Sequence, residues 1–134
     1  MSSASAESGP TGGVYEWYRR GLDLLRQGNP AAAAQLLDRA VEAEPESRSA
    51  REALARAQFD AGRYADAQSS FAVIVEASPT DDYAQFGLGL AASRAGDFGT
   101  AVEHLALAVA MRPDLPHYRR ALHGARAARN SSRR

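Results

Sequence analysis

Residues 82–115 read DYAQFGLGLAASRAGDFGTAVEHLALAVAMRPDL, and this stretch decides the fold of the chain. Gly96 separates two runs that are rich in Ala and Leu, and Pro113 follows the second run. The same arrangement occurs twice more towards the N-terminus, at residues 14–47 and 48–81. Four columns share one constant step: Gly28, Gly62 and Gly96; Pro45, Pro79 and Pro113; Ala33, Ala67 and Ala101; and Leu37, Phe71 and Leu105. The step is 34 residues, and a fixed period of this length indicates a repeated structural unit.

Each unit is predicted to contain two helices. The glycine column ends the first helix, because glycine adopts a left-handed C-terminal conformation without a Cβ penalty. Pro30 falls in the first turn of a second helix, and the late proline prevents that helix from continuing. Thr80, Asp81 and Asp82 supply capping oxygens and negative charge at the start of the third unit. Small residues recur where the paired helices must approach, namely Gly21, Ala55 and Gly89 on the first helices and Ala33, Ala67 and Ala101 on the second. Stacked antiparallel pairs of this kind form an α-solenoid.

The repeats resemble the tetratricopeptide repeat (TPR). The third unit carries Leu88-Gly89, Gly96-Asp97-Phe98, Ala101, Leu105, Ala108 and Pro113 at the characteristic positions of this family. The first two units depart from the pattern at Arg20, Pro30, Arg51, Gln58 and Ile74. The resemblance covers about residues 14–115 and implies an all-α fold of three antiparallel helix hairpins in a right-handed superhelix, followed by a capping helix.

The length of the chain, 134 residues, suits one domain. We expect a disordered N-terminal tail over residues 1–13, a TPR domain over 14–130 and a basic tail over 131–134. Within the domain, the predicted repeats are 14–47, 48–81 and 82–115, and the capping helix is 116–130. The tail lacks the apolar run of a signal peptide, and no later stretch is long and apolar enough to span a membrane. These features predict a cytoplasmic protein that does not enter a membrane.

The composition favours helix and excludes several kinds of chemistry. The chain contains 29 Ala and a single Ile, which favours helix over sheet. It contains no Cys, so disulfides, thiolate catalysis and Cys-ligated metals are excluded. Sixteen basic and sixteen acidic residues give no net charge, which argues against a surface built wholly for nucleic acid.

No catalytic or metal-binding arrangement can be nominated. His117 and His123 are six residues apart, whereas two metal ligands on one helix need a spacing of three or four. The acidic residues Glu42, Glu44 and Glu46 surround Pro45 and have no EF-hand spacing. The segment 87–89 (GLG) superficially suggests a phosphate loop, but no strand precedes it, so a helix–helix contact is the better interpretation. We therefore predict that the protein is not an enzyme and needs no cofactor or metal.

The first helices carry more apolar surface than one packing face requires. By resemblance to TPR proteins, the additional residues line a concave peptide-binding groove; they are Tyr15, Tyr18, Leu22, Leu25, Phe59, Tyr83, Phe86 and Leu90. Packing between neighbouring repeats and self-association are the alternative interpretations of the same residues. The Lys, Arg and Asn clamp that one TPR subtype uses for a C-terminal carboxylate is missing, since its places hold Tyr18, Leu22, Ala53, Tyr83 and Gly87. The expected ligand is an apolar extended segment or an amphipathic helix.

The C-terminal end is basic, with seven Arg and one acidic residue from Arg112 to Arg134. A solubilising cap on an apolar edge and a docking element for an acidic protein or nucleic acid are both compatible with this pattern. The sequence thus predicts a non-catalytic adaptor that binds a peptide or helix of another protein. The alternatives are a self-assembling scaffold subunit and a nucleic-acid accessory protein that acts through the Arg-rich end, although nucleic acid is not the expected partner.

Overall fold

The computed structural model describes residues 13–133, which form seven α-helices and no strand. The helices are α1 (Val14–Arg26), α2 (Pro30–Ala43), α3 (Arg48–Asp60), α4 (Tyr64–Ala77), α5 (Asp82–Arg94), α6 (Phe98–Met111) and α7 (Pro116–Ser132). The predicted disordered tail lies outside the described residues, apart from Gly13. The last helix continues to Ser132, beyond the predicted end at residue 130.

The glycine column ends the first helix of each repeat, as the sequence predicts. Gly28, Gly62 and Gly96 have φ angles of 78°, 82° and 88°, and no other described residue has a positive φ. The amide of Gly28 donates to the Leu25 carbonyl at 3.0 Å, and the next amide donates to the Leu24 carbonyl at 2.8 Å. These paired bonds satisfy carbonyls that the end of α1 would otherwise leave unpaired.

The starts of the helices also follow from local chemistry. Pro30 occupies the first turn of α2, where its missing N–H is not needed. The Asp81 side chain accepts a hydrogen bond from the Ala84 amide at 3.1 Å, and Ser47 accepts one from the Ala50 amide at 3.2 Å. Both are N-caps that satisfy a free amide of the first helical turn. Ser47 and Asp81 occupy the same position in successive repeats, whereas Gly13 and Leu115 at the equivalent positions form no side-chain cap.

The chain divides into two compact units, Met1–Gly62 and Arg63–Arg134. In the first unit, α1 packs against α2 and α2 packs against α3. Gly21 permits a very close approach, since a Cβ there would lie 2.5 Å from Cγ of Leu37. The buried cluster around this contact consists of Ala33, Ala34, Leu37, Ala40, Val41, Ala50, Ala53, Leu54 and Ala57.

In the second unit, helices α4 to α7 pack in sequence order, each against the next. Gly87 lies against the ring of Phe71, where an added Cβ would be 2.5 Å from the nearest ring carbon. Gly89 lies against α6, where a Cβ would be 2.6 Å from Cγ of Leu105. These contacts confirm that the small residues of the first helices mark helix–helix approach. They also confirm the interpretation of residues 87–89 as a packing segment.

A side chain fixes the turn between successive helix pairs, and the arrangement recurs once in each repeat. The Arg51 guanidinium donates to the Pro45 carbonyl at 3.0 Å. Nε2 of Gln85 donates to the Pro79 carbonyl at 2.9 Å, and the Arg119 guanidinium donates to the Pro113 carbonyl. Donor and acceptor are six residues apart each time. The departure from the family pattern at Arg51 therefore has a structural role.

Candidate functional site

The predicted binding residues of the first unit lie on α1 and α3. Tyr15 is 70% exposed, whereas Tyr18, Leu22 and Leu25 are partly buried and pack against the cluster that α2 and α3 contribute to. Phe59, near the end of α3, is partly buried as well. We call the predicted binding residues of the first helices the first-helix stripes. In this unit the stripe combines one largely exposed tyrosine with partly buried side chains, of which Tyr18, Leu22 and Leu25 also pack against the core.

The predicted residues of the second unit lie on α5. Tyr83 is 39% exposed, and its ring meets the ring of Phe71 edge-on at a centroid distance of 6.2 Å. Phe86 and Leu90 are partly buried. Phe86 stacks on Tyr118 of α7 at 4.5 Å between centroids, and the His117 ring lies edge-on to Phe86 at 5.3 Å. Phe86 thus takes part in packing between α5 and α7, whereas Tyr83 presents more of its surface to solvent.

Tyr118, on which Phe86 stacks, is also held by a hydrogen bond to α5. The Tyr118 hydroxyl donates to the Asp82 carboxylate at 2.7 Å. Burial of the phenol, and then this hydrogen bond, raise the pKa of Tyr118 well above its ordinary value of 10.0. The network ties the first residue of α5 to α7 and orients the ring on which Phe86 stacks. Sequence reasoning missed it because Asp82 and Tyr118 belong to different repeats and carry no local signal of contact.

Gln85 forms a second network on α5. Its side chain is 3% exposed, and its Oε1 lies 2.7 Å from Nδ1 of His104, in addition to the bond from its Nε2 to Pro79. Buried amides are stable only when such partners are present. His104 is therefore a packing residue of α6.

The His and Glu residues considered as metal-binding or catalytic groups do not come together in a site. Within residues 13–133, no group of three or more His, Asp or Glu side chains is arranged to hold a metal ion. Glu42, Glu44 and Glu46 are all exposed. His123 is also exposed, while His117 lies against the rings of Phe86 and Tyr118. None of the helices in the described part of the chain combines the length and apolar content needed to cross a bilayer.

The basic C-terminal region presents its charges on the surface. Arg112 pairs with Asp114 at 2.8 Å, and this guanidinium lowers the pKa of the Asp114 carboxyl. Arg119, Arg120 and Arg126 are exposed side chains of α7. Apart from its histidines, the only aromatic residue of α7 is Tyr118, which is 2% exposed. A base could not stack on this ring without unpacking the helix.

The helix pairs, their constant repeat step and their glycine ends define a helical-hairpin repeat protein. A tetratricopeptide-repeat family model matches residues 18–82 and 53–116, and the chain belongs to this family. The chain is 29% identical over 100 residues to Superkiller complex protein 3 of Mus musculus, a match that covers 75% of this chain and 6% of that relative. The chain therefore spans a small part of the curated relative.

Solved structures of MamA show the same fold. MamA 41-end from Desulfovibrio magneticus RS-1 superposes with a TM-score of 0.82 at 21% identity, over 87% of this chain and 66% of that one. MamA MSR-1 superposes with a TM-score of 0.80 at 22% identity, over 88% of this chain and 68% of that one. At such identities the likeness extends to the fold alone.

Proposed function

We propose that this chain is a non-catalytic protein-interaction module that binds an apolar extended peptide or an amphipathic helix through the stripes on its first helices. The family and the fold support an interaction module or scaffold in general terms. The peptide-binding role rests on the side chains of the stripes themselves. A cytoplasmic location and the lack of enzymatic activity remain predictions from the sequence.

The observation that carries the proposal is the exposure of two equivalent tyrosines. Tyr15 and Tyr83 occupy the same repeat position two steps apart, and both are exposed while the other stripe residues on their helices are partly buried. A tyrosine offers a large apolar surface, a hydrogen-bonding tip and few rotatable bonds, which favours its use in binding sites. The two tyrosines are therefore the residues of the stripes most available to a ligand.

Self-association is a second candidate function with its own support. Val73 on α4 and Leu107 on α6 are each 44% exposed, and they occupy the same position in successive repeats. They lie on second helices, so they provide an apolar surface distinct from the first-helix stripes. The nucleic-acid alternative has less support, because the burial of Tyr118 leaves the basic helix without an exposed aromatic platform other than His117 and His123.

The test compares the exposed tyrosines of the first helices with the exposed aliphatic residues of the second helices. Peptides are selected from a displayed random library, and their affinities are measured for the wild type and for Tyr83→Ala, Tyr15→Ala, Val73→Ala and Leu107→Ala. An aromatic anchor contributes about 2 kcal/mol, so a tyrosine change should weaken binding roughly thirtyfold. The Val73 and Leu107 changes should leave the affinity unchanged. Binding that depends on Val73 or Leu107 and not on either tyrosine would contradict the proposal.

Light scattering across a concentration series distinguishes the second candidate. A mass that rises with concentration, and falls back in Val73→Ala or Leu107→Ala, would support self-association through the second helices. A constant monomer mass in the same series would exclude it over the range of concentrations measured.

A further inference from the structure

The side of α6 that faces solvent is mostly apolar. The exposed residues of this helix are Gly99, Glu103, Leu107 and Ala110. Their spacing of four, four and three residues puts them on one face of the helix, and we call this face the outer α6 row. The completely buried residues of the helix are Ala101, Leu105 and Ala108. A helix that is apolar on nearly every side is normally covered on every side, yet Leu107 is 44% exposed.

The second helix of the first repeat differs at the same positions. Gln35, Arg39 and Glu42 of α2 correspond, two repeats earlier, to the last three residues of the outer α6 row, and all three are exposed. The guanidinium of Arg39 lies over the Trp17 ring, 4.9 Å from its centroid. Helix α2 therefore has the polar outer face that is expected of a helix in contact with water, whereas α6 does not.

The second helices of the second unit carry only acidic charges. Helices α4 and α6 contain Asp66, Glu76 and Glu103 and no Lys or Arg. Asp66 pairs with Arg63 at 2.8 Å. Among the described residues, 13–133, neither Glu76 nor Glu103 forms an ion pair. Because Glu103 lies within the outer α6 row, a molecule that covers the row also covers this carboxylate.

We propose that the outer α6 row docks a basic amphipathic helix of a partner protein. An Arg or Lys of the partner would pair with Glu103, since a covered charge is tolerated only when it is paired. Apolar residues one helical turn before and after that basic residue would lie over Gly99 and beside Leu107. The same unit already contains such a contact, because Leu105 packs so closely on Gly89 that an added Cβ would be 2.6 Å from its Cγ. This docking surface is separate from the first-helix stripes.

A second copy of this chain is a less suitable occupant of the row. Glu103 is four residues from Gly99 and four from Leu107. A two-fold antiparallel pairing that sets Leu107 over Gly99 of the second copy therefore sets the two Glu103 side chains against each other. Like charges brought together at an interface are unfavourable, and a basic partner avoids this cost.

The test uses a displayed library of amphipathic helices, panned against the full chain carrying Tyr15→Ala and Tyr83→Ala so that ligands of the first-helix stripes are not selected. We expect peptides in which Arg or Lys has apolar residues three or four positions away on both sides. In the wild-type background, Glu103→Arg should weaken these peptides at least about tenfold. Replacing the basic residue of the peptide with Glu should restore binding to Glu103→Arg, a rescue that a merely damaged fold could not give.

Two further variants define the surface. Leu107→Gln should weaken the peptides about tenfold, because it replaces the apolar contact with a polar side chain. Glu42→Arg makes the same charge change on an exposed residue of α2 and should leave the affinity unchanged. Since all three changed positions are exposed, Tm should stay within about 4 °C of the wild type in thermal melts.

The proposal is overturned if no peptide is enriched, if the enriched peptides lack a basic residue, or if they bind Glu103→Arg and Leu107→Gln as tightly as the wild type. It is also overturned if light scattering shows a mass that rises with concentration and falls back in Leu107→Gln, because a second copy would then cover the row. Ligands of the first-helix stripes are recognised by their loss of affinity in Tyr83→Ala, so failure at the outer α6 row leaves the proposed peptide-binding function standing.

Discussion

The ring of Phe86 on α5 stacks on the ring of Tyr118 on α7, with 4.5 Å between centroids and 16° between the planes. This pair joins the helix that begins the third repeat to the helix that follows that repeat. The sequence predicts Phe86 as a ligand-binding residue, and the stack gives it a packing role in addition. Removing the ring therefore affects the stability of the unit.

Phe86→Ala should lower the free energy of unfolding by about 2–4 kcal/mol, because it removes both apolar burial and an aromatic pair. Tyr83→Ala on the same helix should have a smaller effect, since Tyr83 is 39% exposed. Urea denaturation of both variants and the wild type measures the difference. Equal stability of Phe86→Ala and the wild type would contradict the packing role of this residue.

Gly62→Val should destabilise the protein by about 1–2 kcal/mol, because a β-branched residue is strained in the left-handed region that Gly62 occupies. Gly62→Asn is the control, since asparagine tolerates the left-handed region better than other residues. An added Cβ at Gly62 would meet nothing within 4 Å, so crowding does not contribute. Thermal melts should therefore rank the proteins as wild type, Gly62→Asn and Gly62→Val in order of decreasing Tm. A Val variant that melts with the Asn variant would show that φ is not the cause.

Stability should fall as the pH rises above about 10, and Tyr118 should account for part of the fall. Because its pKa is raised from 10.0 in the folded protein, the phenol stays protonated while the unfolded chain ionises. The stabilisation is complete below the unfolded pKa and is lost as pH rises through the folded pKa. In Tyr118→Phe, which cannot ionise, urea denaturation from about pH 8 to about pH 11 should give a shallower decline. An identical slope in both proteins would contradict the shift.

Gln85→Ala should lower the free energy of unfolding by about 2 kcal/mol, since it leaves the Pro79 carbonyl and the His104 ring without a buried partner. Arg51→Ala removes the equivalent bond to Pro45, which is exposed, and should have an effect below about 1 kcal/mol. Chemical denaturation of the two variants compares the same bond in a part-buried and an exposed setting. An Arg51 effect as large as the Gln85 effect would show that burial does not control the strength of this bond.

The repeat spacing is sufficient to predict the helices, their glycine ends and their points of close approach. Gly28, Gly62 and Gly96 have the positive φ that the sequence requires, and Gly89 lies against Leu105 as expected. These features depend on local backbone preferences and on residue size, both of which can be read from one repeat.

The roles of individual aromatic residues could not be predicted in the same way. Whether Phe86 faces a ligand or packs against α7 depends on the distance between α5 and α7. The spacing of the repeats in the sequence does not give that distance. The Tyr118–Asp82 bond also joins different repeats, and Tyr118 occupies the position of Ala84 one step earlier. The sequence therefore indicates where apolar surface lies, whereas the structure distinguishes the presented Tyr83 from the packed Phe86.

The bonds from Arg51, Gln85 and Arg119 to the proline carbonyls six residues before them bear on how such a chain can evolve. The donor and the acceptor of each bond are six residues apart, which is much shorter than the repeat. A duplication or deletion of one whole repeat that does not cut this stretch would carry donor and acceptor together. The new junction would then be fixed by its own bond, without any compensating change in the neighbouring copies. Gain and loss of whole repeats is thereby made easier than rearrangement within one.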